Sequence, residues 1–263
     1  MKFKLKINNF SLRDTLLCGQ CFRFDEINPN CFFVFAGSNS SKITQEKNVL
    51  IFEHSTCKID FWENYFDINT NYTKLLDSFN GDKILEKAKS ICGGIRILRQ
   101  DPWETLISFI ISANNNIPRI QSIINRLCSN FGKKIKNGFS FPTAQELENC
   151  TEDDLLFLKA GFRSRYIIDA IKKVNSGELN LNNLYKISTT NSKEKLMQIC
   201  GVGNKVSDCI LLFAYHKMDS FPIDVWMKKT LNEYYPNGVS KQILTCPGLA
   251  QQLLFYSKRN KYI

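Results

Sequence analysis

Residues 196–209 read LMQICGVGNKVSDC, and residues 221–226 read FPIDVW. In the first stretch a Gly-Val-Gly turn joins two segments whose apolar residues recur at helical spacing. A helix that begins after this turn can bind a phosphate through its free amides and its dipole, and Lys205 lies in its first turn. Asp224 follows after a short loop that contains a proline. The combination predicts a protein that binds the DNA backbone and attacks a sugar carbon with a lysine.

The hairpin between the two helices leads to further expectations. We expect Asn191 to cap the first helix, with Glu194 three residues later completing a capping box. Gly201 and Gly203 are expected where side chains do not fit, and together with Val206 they are the expected phosphate contacts. The apolar residues of the second helix repeat at i, i+3, i+4, i+7 and i+8 and should pack inward: Val206, Cys209, Ile210, Phe213 and Ala214.

Lys205 and Asp224 are the candidate catalytic residues. A lysine attacks only as a neutral amine, and a helix N-terminus and partial desolvation both disfavour the charged form. Attack on C1′ of a sugar would expel the base and leave an imine, while Asp224 would stabilise the positive charge that develops there. In the simpler alternative, Lys205 is a surface lysine that binds phosphate and Asp224 is a helix cap. The cap role and the charge role of Asp224 are compatible.

The composition agrees with a nucleic-acid partner. The chain has 263 residues, 43% hydrophobic content and a formal net charge of +10, with a pI of about 9.1. A folded protein with this charge favours a polyanion, although a generally lysine-rich proteome would produce the same balance. No stretch approaches the ~20 apolar residues of a membrane span, and residues 1–7 lack the continuous apolar core of a signal peptide. We therefore expect an intracellular protein, in the cytoplasm or nucleoid of a prokaryote or in the nucleus of a eukaryote.

The ten cysteines are expected to be reduced thiols. Cys18 and Cys21 have a CxxC spacing, but a zinc or iron–sulfur site needs further ligands. The chain has only two histidines, His54 and His216, to supply them. We therefore expect small buried thiols here and no metal.

The hydrophobic period changes near residue 61. Before it, short alternating runs predict antiparallel strands near residues 3–7, 22–24, 31–35 and 49–52. After it the pattern is helical, with a helix start at Asp101-Pro102 and later helices over residues 144–149, 153–159, 164–174, 192–200, 204–216 and 225–234. The prediction is an α+β chain, with an N-terminal β domain over residues 1–90 and a helical domain with the chemistry over residues 91–263.

Four further segments, together with the lysine hairpin, resemble the 8-oxoguanine DNA glycosylase family of the helix-hairpin-helix-Gly/Pro-Asp superfamily. They are residues 19–23 (GQCFR), residues 96–102 (RILRQDP) followed by 112–120 (SANNNIPRI), residues 161–166 (GFRSRY), and residues 248–255 (GLAQQLLF). The resemblance implies a twisted sheet like that of the TATA-box-binding protein. It also implies a monomer that acts without a cofactor on double-stranded DNA containing 8-oxoguanine, and a lysine that both removes the base and nicks the strand.

The resemblance also implies roles in a base pocket. The carbonyl of Gly19 would accept a hydrogen bond from N7–H of 8-oxoguanine. Guanine has an acceptor at N7, so this carbonyl would stay unpaired, at a cost of about 1–3 kcal/mol. Gln251 would bind the Watson–Crick edge, and Phe255 and Cys209 would contact the two faces of the base. Cys209 lies one helical turn after Lys205, and its alternative role is that of a small core residue.

A second group of residues resembles those that contact the opposite strand. Asn114, Arg119 and Arg163 would contact the orphaned base and favour cytosine; alternatively, the arginines form a basic face that contacts phosphates only. Phe162 stands where many members have tyrosine and would fill the gap left by the flipped base. Trp226 stands where many members have a histidine near a phosphate; its indole N–H can donate but carries no charge.

Two other functions stay open at this point. The same fold could act on other oxidised or alkylated bases, or the hairpin could belong to a DNA-binding protein without catalysis. The residues Gly19, Gln251 and Phe255 argue against the first alternative. The combination of Lys205 with Asp224 argues against the second.

Overall fold

The computed structural model describes residues 1–263 and contains a five-stranded sheet near the N-terminus. All strand pairs are antiparallel, and the order across the sheet is β1-β5-β4-β3-β2. The antiparallel sheet predicted from the sequence is confirmed. The strands are β1 (Phe3–Lys6), β2 (Phe24–Asn28), β3 (Cys31–Ala36), β4 (Asn39–Glu46) and β5 (Val49–Glu53).

Strand β4 was not expected from the sequence. Ile43 is its only aliphatic residue, and Ser40 and Ser41 occupy buried positions. The hydroxyl of Ser41 donates to the carbonyl of Glu53 at 3.1 Å, so this buried polar group has a partner. Hydrophobic alternation therefore misses the strand, because hydrogen-bonded serines replace apolar residues in it.

Helices follow the sheet along most of the remaining chain, and α1 precedes β2. They are α1 (Leu12–Leu17), α2 (Ile59–Tyr65), α3 (Tyr72–Asp77), α4 (Lys83–Cys92), α5 (Pro102–Ser112), α6 (Ile117–Phe131), α7 (Arg163–Asn175), α8 (Thr189–Leu196), α9 (Asn204–Phe213), α10 (Val225–Tyr234) and α11 (Pro247–Arg259). Short 3-10 helices cover Asp153–Leu158, Leu181–Tyr185 and Ile243–Thr245, and a small ribbon pairs β6 (Lys134–Ile135) with β7 (Gly138–Phe139). None of the helices is both long and apolar enough to cross a membrane.

Helix capping confirms one expected start and corrects another. Asp101 accepts a hydrogen bond from the Glu104 amide at 2.8 Å, and Pro102 is the first residue of α5, as expected. The cap of α8 is Ser188, whose hydroxyl accepts from the Asn191 amide at 3.2 Å. The capping box expected at Asn191 is therefore wrong, because a hydroxyl three residues earlier already satisfies that amide.

Four other helix predictions need correction. The helix expected over residues 153–159 is a 3-10 helix over Asp153–Leu158, and the helix expected over residues 192–200 is α8, Thr189–Leu196. Residues 144–149 form successive turns held by i to i+3 hydrogen bonds, such as Glu148 N to Gln145 O at 3.1 Å, rather than an α-helix. Helix α9 ends at Phe213, three residues earlier than expected. Helices α1, α6 and α11 lie outside the helices expected from the sequence, although α6 carries a clear apolar stripe.

Two buried clusters hold these elements together. The smaller one packs Trp62 and Phe66 beneath Phe32 and Phe52 of the sheet. The larger one fills the helical part and includes the stacked rings of Phe109 and Phe213, whose centroids are 5.4 Å apart. This stack holds α5 against α9, the helix that carries Lys205.

A glycine allows α11 to approach α9 closely. A Cβ atom on Gly248 would lie 2.3 Å from Cδ1 of Leu212, closer than two carbon atoms can pack. The contact brings the first turns of α11 beside α9.

A buried ion pair joins the sheet to the helical part. Arg23 Nη1 lies 3.0 Å from Glu104 Oε2, and the same oxygen accepts from the Gly37 amide at 2.7 Å. Both charged side chains are nearly inaccessible to solvent. The division of the chain into domains at residues 90 and 91 stays a prediction.

Candidate active site

A narrow cavity of about 40 Å³ lies where five segments of the chain meet. Six residues expected at the site line it: Gly19, Lys205, Cys209, Asp224, Gln251 and Phe255. They come from the loop after α1, from α9, from the loop before α10, and from α11. A larger cleft of about 610 Å³ beside Trp103 and Tyr185 contains none of the predicted site residues.

The backbone of the hairpin presents Lys205 in the first turn of α9. Gly203 is the N-cap, and no side chain caps the helix, so its first amides remain free for an external acceptor. The half-buried Lys205 side chain places Nζ 5.3 Å from the centroid of the Phe109 ring. None of the ion pairs in the structure includes Lys205. Its amine therefore lies in the cavity without a carboxylate bound to it.

Cys209 is buried one turn further along α9. Burial raises the pKa of its thiol to about 11, and the neighbouring Lys205 cation offsets only part of this effect. The side chain is therefore a neutral thiol near pH 7. It can pack against a ligand but is a poor nucleophile.

Asp224 caps α10 and also lines the cavity. Its Oδ1 atom accepts from the Met227 amide at 2.8 Å, which confirms the expected helix-cap role. Its other carboxylate oxygen has no hydrogen-bond partner within the chain. One side chain thus closes a helix end and leaves a half-buried oxygen for the cavity.

The far end of the cavity consists of amide and aromatic groups. Gln251 and Gln252 are both 3% exposed, and Gln252 Nε2 donates to Gln251 Oε1 at 2.9 Å. The Phe255 ring packs against Gly19, where a Cβ atom would lie 3.6 Å from Cε1 of the ring. The guanidinium of Arg259 lies 5.2 Å from the centroid of the same ring and donates to the carbonyl of Leu17 at 2.5 Å. These contacts attach α11 to the loop that carries Gly19.

The two glycines of the hairpin have different surroundings. Gly201 has φ +79°, and a Cβ atom there would lie 2.2 Å from Cδ2 of Tyr166. Gly203 has an extended backbone, and a Cβ atom there would meet nothing within 4 Å. The expectation that neither position has room for a side chain is therefore wrong for Gly203 within the protein itself. Val206 is buried, so only its backbone amide could contact a phosphate.

Another surface gathers the residues expected at the opposite strand. Phe162 is 50% exposed and its ring lies 4.4 Å from the guanidinium of Arg163. Arg119 is exposed, whereas Arg163 is 3% exposed and donates to the carbonyls of Ala113, Asn114 and Ala160 at 2.6 to 3.0 Å. Burial and the nearby Arg119 cation lower the pKa of Arg163. Arg163 therefore holds the backbone beneath Asn114 in the free protein.

Trp226 lies in the first turn of α10, two residues after Asp224. Its partly exposed ring lies 5.0 Å from Nζ of Lys229. The positive charge of Lys229 thus lies beside the indole, a contact that the sequence alone did not predict.

Comparisons with known proteins agree with this arrangement. Residues 2–106 match the model of the 8-oxoguanine DNA glycosylase N-terminal domain, and residues 107–243 match that of the HhH-GPD superfamily of base excision DNA repair proteins. The 8-oxoguanine glycosylase/lyase of Clostridium acetobutylicum, solved with double-stranded DNA containing cytosine opposite 8-oxoguanine, is 34% identical, with a TM-score of 0.89 over 100% of this chain and 99% of that one. The chain belongs to the 8-oxoguanine DNA glycosylase family.

Other members of the 8-oxoguanine DNA glycosylase family give the same result. MBOgg1, solved with a low-affinity DNA ligand, is 36% identical, with a TM-score of 0.92 over 100% of this chain and 96% of that one. The N-glycosylase/DNA lyase of Saccharomyces cerevisiae is 37% identical over 198 residues, which are 68% of this chain and 52% of the yeast protein. The chain thus spans about half the length of that curated relative.

Five lining residues of this family member were not predicted as site residues. Phe213 had been assigned to the inward stripe of α9, and Gln252 directly follows Gln251, so weak signals existed for both. Cys18 directly precedes Gly19, and Pro222 lies two residues before Asp224. Phe109 on α5 is distant in sequence from the predicted site residues and is recognised only from the structure. The five are Cys18, Phe109, Phe213, Pro222 and Gln252.

The two thiols of the CxxC segment are buried, as the sequence predicts. Cys18 and Cys21 are buried, and burial raises the pKa of Cys18 to about 12. All ten cysteines are free, and no group of three or more His, Cys, Asp or Glu side chains is arranged to bind a metal ion.

Proposed function

We propose that this protein excises 8-oxoguanine from duplex DNA and then cleaves the strand at the abasic site. The observation that carries the proposal is the single cavity that contains the Lys205 amine, the Asp224 carboxylate, and Gly19, Gln251 and Phe255. Strand-cleaving glycosylases need a nucleophile and a base-binding surface within reach of one flipped nucleotide. The net charge of +10 supports a DNA partner.

In the proposed reaction, the neutral amine of Lys205 attacks C1′ of the flipped nucleotide. The bond from C1′ to N9 breaks, and the base leaves with the electron pair. One amine proton passes to the departing base. The C1′–O4′ bond then breaks, O4′ takes the second amine proton, and an imine forms between C1′ and the lysine nitrogen. Loss of a proton from C2′ expels the 3′ phosphate by β-elimination. The free oxygen of Asp224 stabilises the positive charge that develops at C1′.

The remaining residues bind and select the nucleotide. The carbonyl of Gly19 accepts from N7–H, Gln251 binds the Watson–Crick edge, and the base lies between Phe255 and Cys209. The free amides of the hairpin near Gly201, Gly203 and Val206 bind a backbone phosphate, and Trp226 contacts another. On the opposite strand Phe162 fills the gap, while Asn114, Arg119 and Arg163 favour cytosine.

All of these groups come from one chain, so one protein copy on double-stranded DNA is sufficient and no cofactor is required. With a DNA substrate, the proposed location is the cytoplasm or nucleoid of a prokaryote or the nucleus of a eukaryote. The division into a β domain (1–90) and a helical domain (91–263) belongs to the same proposal.

Reductive trapping tests the nucleophile. With borohydride and an 8-oxoguanine duplex, the wild-type protein should form a covalent adduct with DNA, and Lys205→Gln should form none. Lys195→Gln, which removes an exposed positive charge on the same hairpin, is the matched control and should trap as the wild type does. Equal trapping by wild type and Lys205→Gln would show that another residue is the nucleophile.

A substrate comparison tests the base. Duplexes with 8-oxoguanine, 3-methyladenine or thymine glycol should be processed at very different rates, with 8-oxoguanine the fastest. A faster release of either other base would assign the cavity to a different lesion. Failure to release any base or to nick any strand would favour a DNA-binding protein without catalysis.

A further inference from the structure

Gln252 has a buried amide that the proposed reaction does not use. The residue lines the cavity and is 3% exposed. Its Nε2 atom donates to Gln251 Oε1 at 2.9 Å, but its Oε1 atom is buried without a hydrogen-bond partner. Buried polar atoms are nearly always paired, because an unpaired one forfeits its hydration. An unpaired acceptor on a residue that lines the cavity therefore indicates a donor on the ligand.

The bond between the two amides also determines which way Gln251 is oriented. Because Gln252 donates to Gln251 Oε1, the Nε2 atom of Gln251 stays free to donate to a ligand. The opposite orientation would use that Nε2 atom to bind Gln252. By orienting Gln251 in this way, Gln252 favours a ligand with a hydrogen-bond acceptor opposite Gln251 Nε2.

The two amides together match the Watson–Crick edge of a guanine-type base. That edge has one acceptor, O6, followed by two donors, N1–H and the exocyclic N2 amine. The pair offers the same number of complementary groups: one donor, Gln251 Nε2, and two acceptors, the second lone pair of Gln251 Oε1 and the unpaired Gln252 Oε1.

We propose that Gln252 is a specificity residue, which orients Gln251 and accepts a hydrogen bond from the exocyclic amine of the flipped base. This inference rests on the proposed function of the cavity. It adds a second amide to the recognition of the base and makes the N2 amine part of what the protein selects.

A substrate that lacks one group tests the inference without any mutation. The base 8-oxohypoxanthine is 8-oxoguanine without the exocyclic amine, so it leaves Gln252 Oε1 unpaired. Under single turnover opposite cytosine, the wild-type protein should release 8-oxoguanine roughly tenfold faster than 8-oxohypoxanthine. Equal rates for the two bases would overturn the role of Gln252 and leave the proposed function intact. A protein that releases neither base would overturn both proposals.

Two variants of Gln252 test which atom of its amide selects the base. Gln252→Leu should release the two bases at equal rates, because it removes the acceptor. Gln252→Glu keeps an acceptor but cannot donate to Gln251, so Gln251 should turn its Nε2 atom away from O6 and both bases should be released slowly. A Gln252→Leu variant that still prefers 8-oxoguanine tenfold would contradict the inference.

A substrate without a base separates recognition from structural support. In Gln252→Leu, borohydride trapping on a preformed abasic duplex should fall much less than the release of 8-oxoguanine, because abasic DNA has no base for Gln252 to contact. A parallel loss of trapping on abasic DNA would show that Gln252 only supports the cavity, and the inference would be wrong.

Discussion

The Cys209 thiol lies beside the Lys205 amine, one helical turn along α9, and both side chains line the same cavity. The cation of Lys205 favours the thiolate, yet burial dominates and raises the pKa of Cys209 to about 11. The thiol of the pair is therefore neutral near pH 7, which leaves the amine as the proposed nucleophile.

A pH profile tests this assignment. Because the pKa of Cys209 is about 11, the thiol stays protonated from pH 6 to pH 9 and contributes no titration there. We expect Cys209→Ala to lower the rate of base release through lost contact with the base, while the shape of the pH–rate curve between pH 6 and 9 stays that of the wild type. A basic limb of the wild-type curve that disappears in Cys209→Ala would contradict this expectation.

Two substitutions of Asp224 distinguish its role as a helix cap from the role of its negative charge in base release. Asp224→Asn keeps an oxygen that can accept from the Met227 amide, so we expect little loss of thermal stability. It removes the negative charge, and base release should fall by about 10²-fold or more. Asp224→Ala should lose the same activity and also about 1 kcal/mol of unfolding free energy. Single-turnover kinetics and thermal unfolding of both variants provide the comparison, and full activity in Asp224→Asn would exclude the charge role.

The two hairpin glycines should respond differently to alanine. Gly201→Ala forces a Cβ atom into Tyr166 at a left-handed φ, and we expect a loss of about 1–3 kcal/mol in unfolding free energy. Gly203→Ala meets no protein atom and should cost less than about 1 kcal/mol. It should nevertheless weaken duplex binding, because the added methyl group lies where a phosphate would approach. Wild-type DNA affinity in Gly203→Ala would argue against a phosphate at this turn.

Substitutions of the two arginines expected at the opposite strand should differ in their effects on unfolding free energy and on the preference for cytosine. Arg119 is exposed, so Arg119→Gln should change the unfolding free energy by less than about 0.5 kcal/mol while reducing the rate advantage of cytosine over other opposite bases. Arg163→Gln leaves the carbonyls of Ala113 and Ala160 without their donors and should cost about 1–3 kcal/mol. Denaturant unfolding and excision opposite all four bases measure both effects. Equal excision opposite all four bases by the wild type would contradict the expected preference.

Stability in acid should depend on Asp67. Burial alone would raise the pKa of this carboxyl, but His216, at 3.1 Å, and Arg99, at 2.8 Å, hold it well below its ordinary value. As the pH falls, the unfolded chain takes up this proton first, so the contribution of Asp67 is complete above about pH 4 and is lost below it. We expect Asp67→Asn to be less stable than the wild type near pH 7 and to lose less stability between pH 4 and pH 2. Parallel curves for the two proteins would contradict this linkage.

Much of the local structure could be predicted from short-range patterns. The start of α5 at Asp101-Pro102 depends on a cap and a proline next to each other, and α9 follows directly from the Gly-Val-Gly turn and the stripe behind it. The prediction for the cap of α8 was wrong because Asn191 and Ser188 are both good caps, and local sequence does not decide between them. Strand β4 was not predicted because its buried serines depend on hydrogen-bond partners from another strand.

The sequence by itself determined that a lysine opens a helix after a glycine turn and that a carboxylate follows at the start of the next helix. Both are consequences of backbone conformation and capping within a few residues. Tertiary structure alone decided that Phe109 lies beside Lys205 and that Gln252, whose amide oxygen is buried and unpaired, lines the same cavity. The physical reason is that side chains from α5, α9 and α11 meet only where the buried faces of these helices pack, including the contact that Gly248 permits with Leu212. The spacing of these residues along the chain does not encode the distances between their side chains.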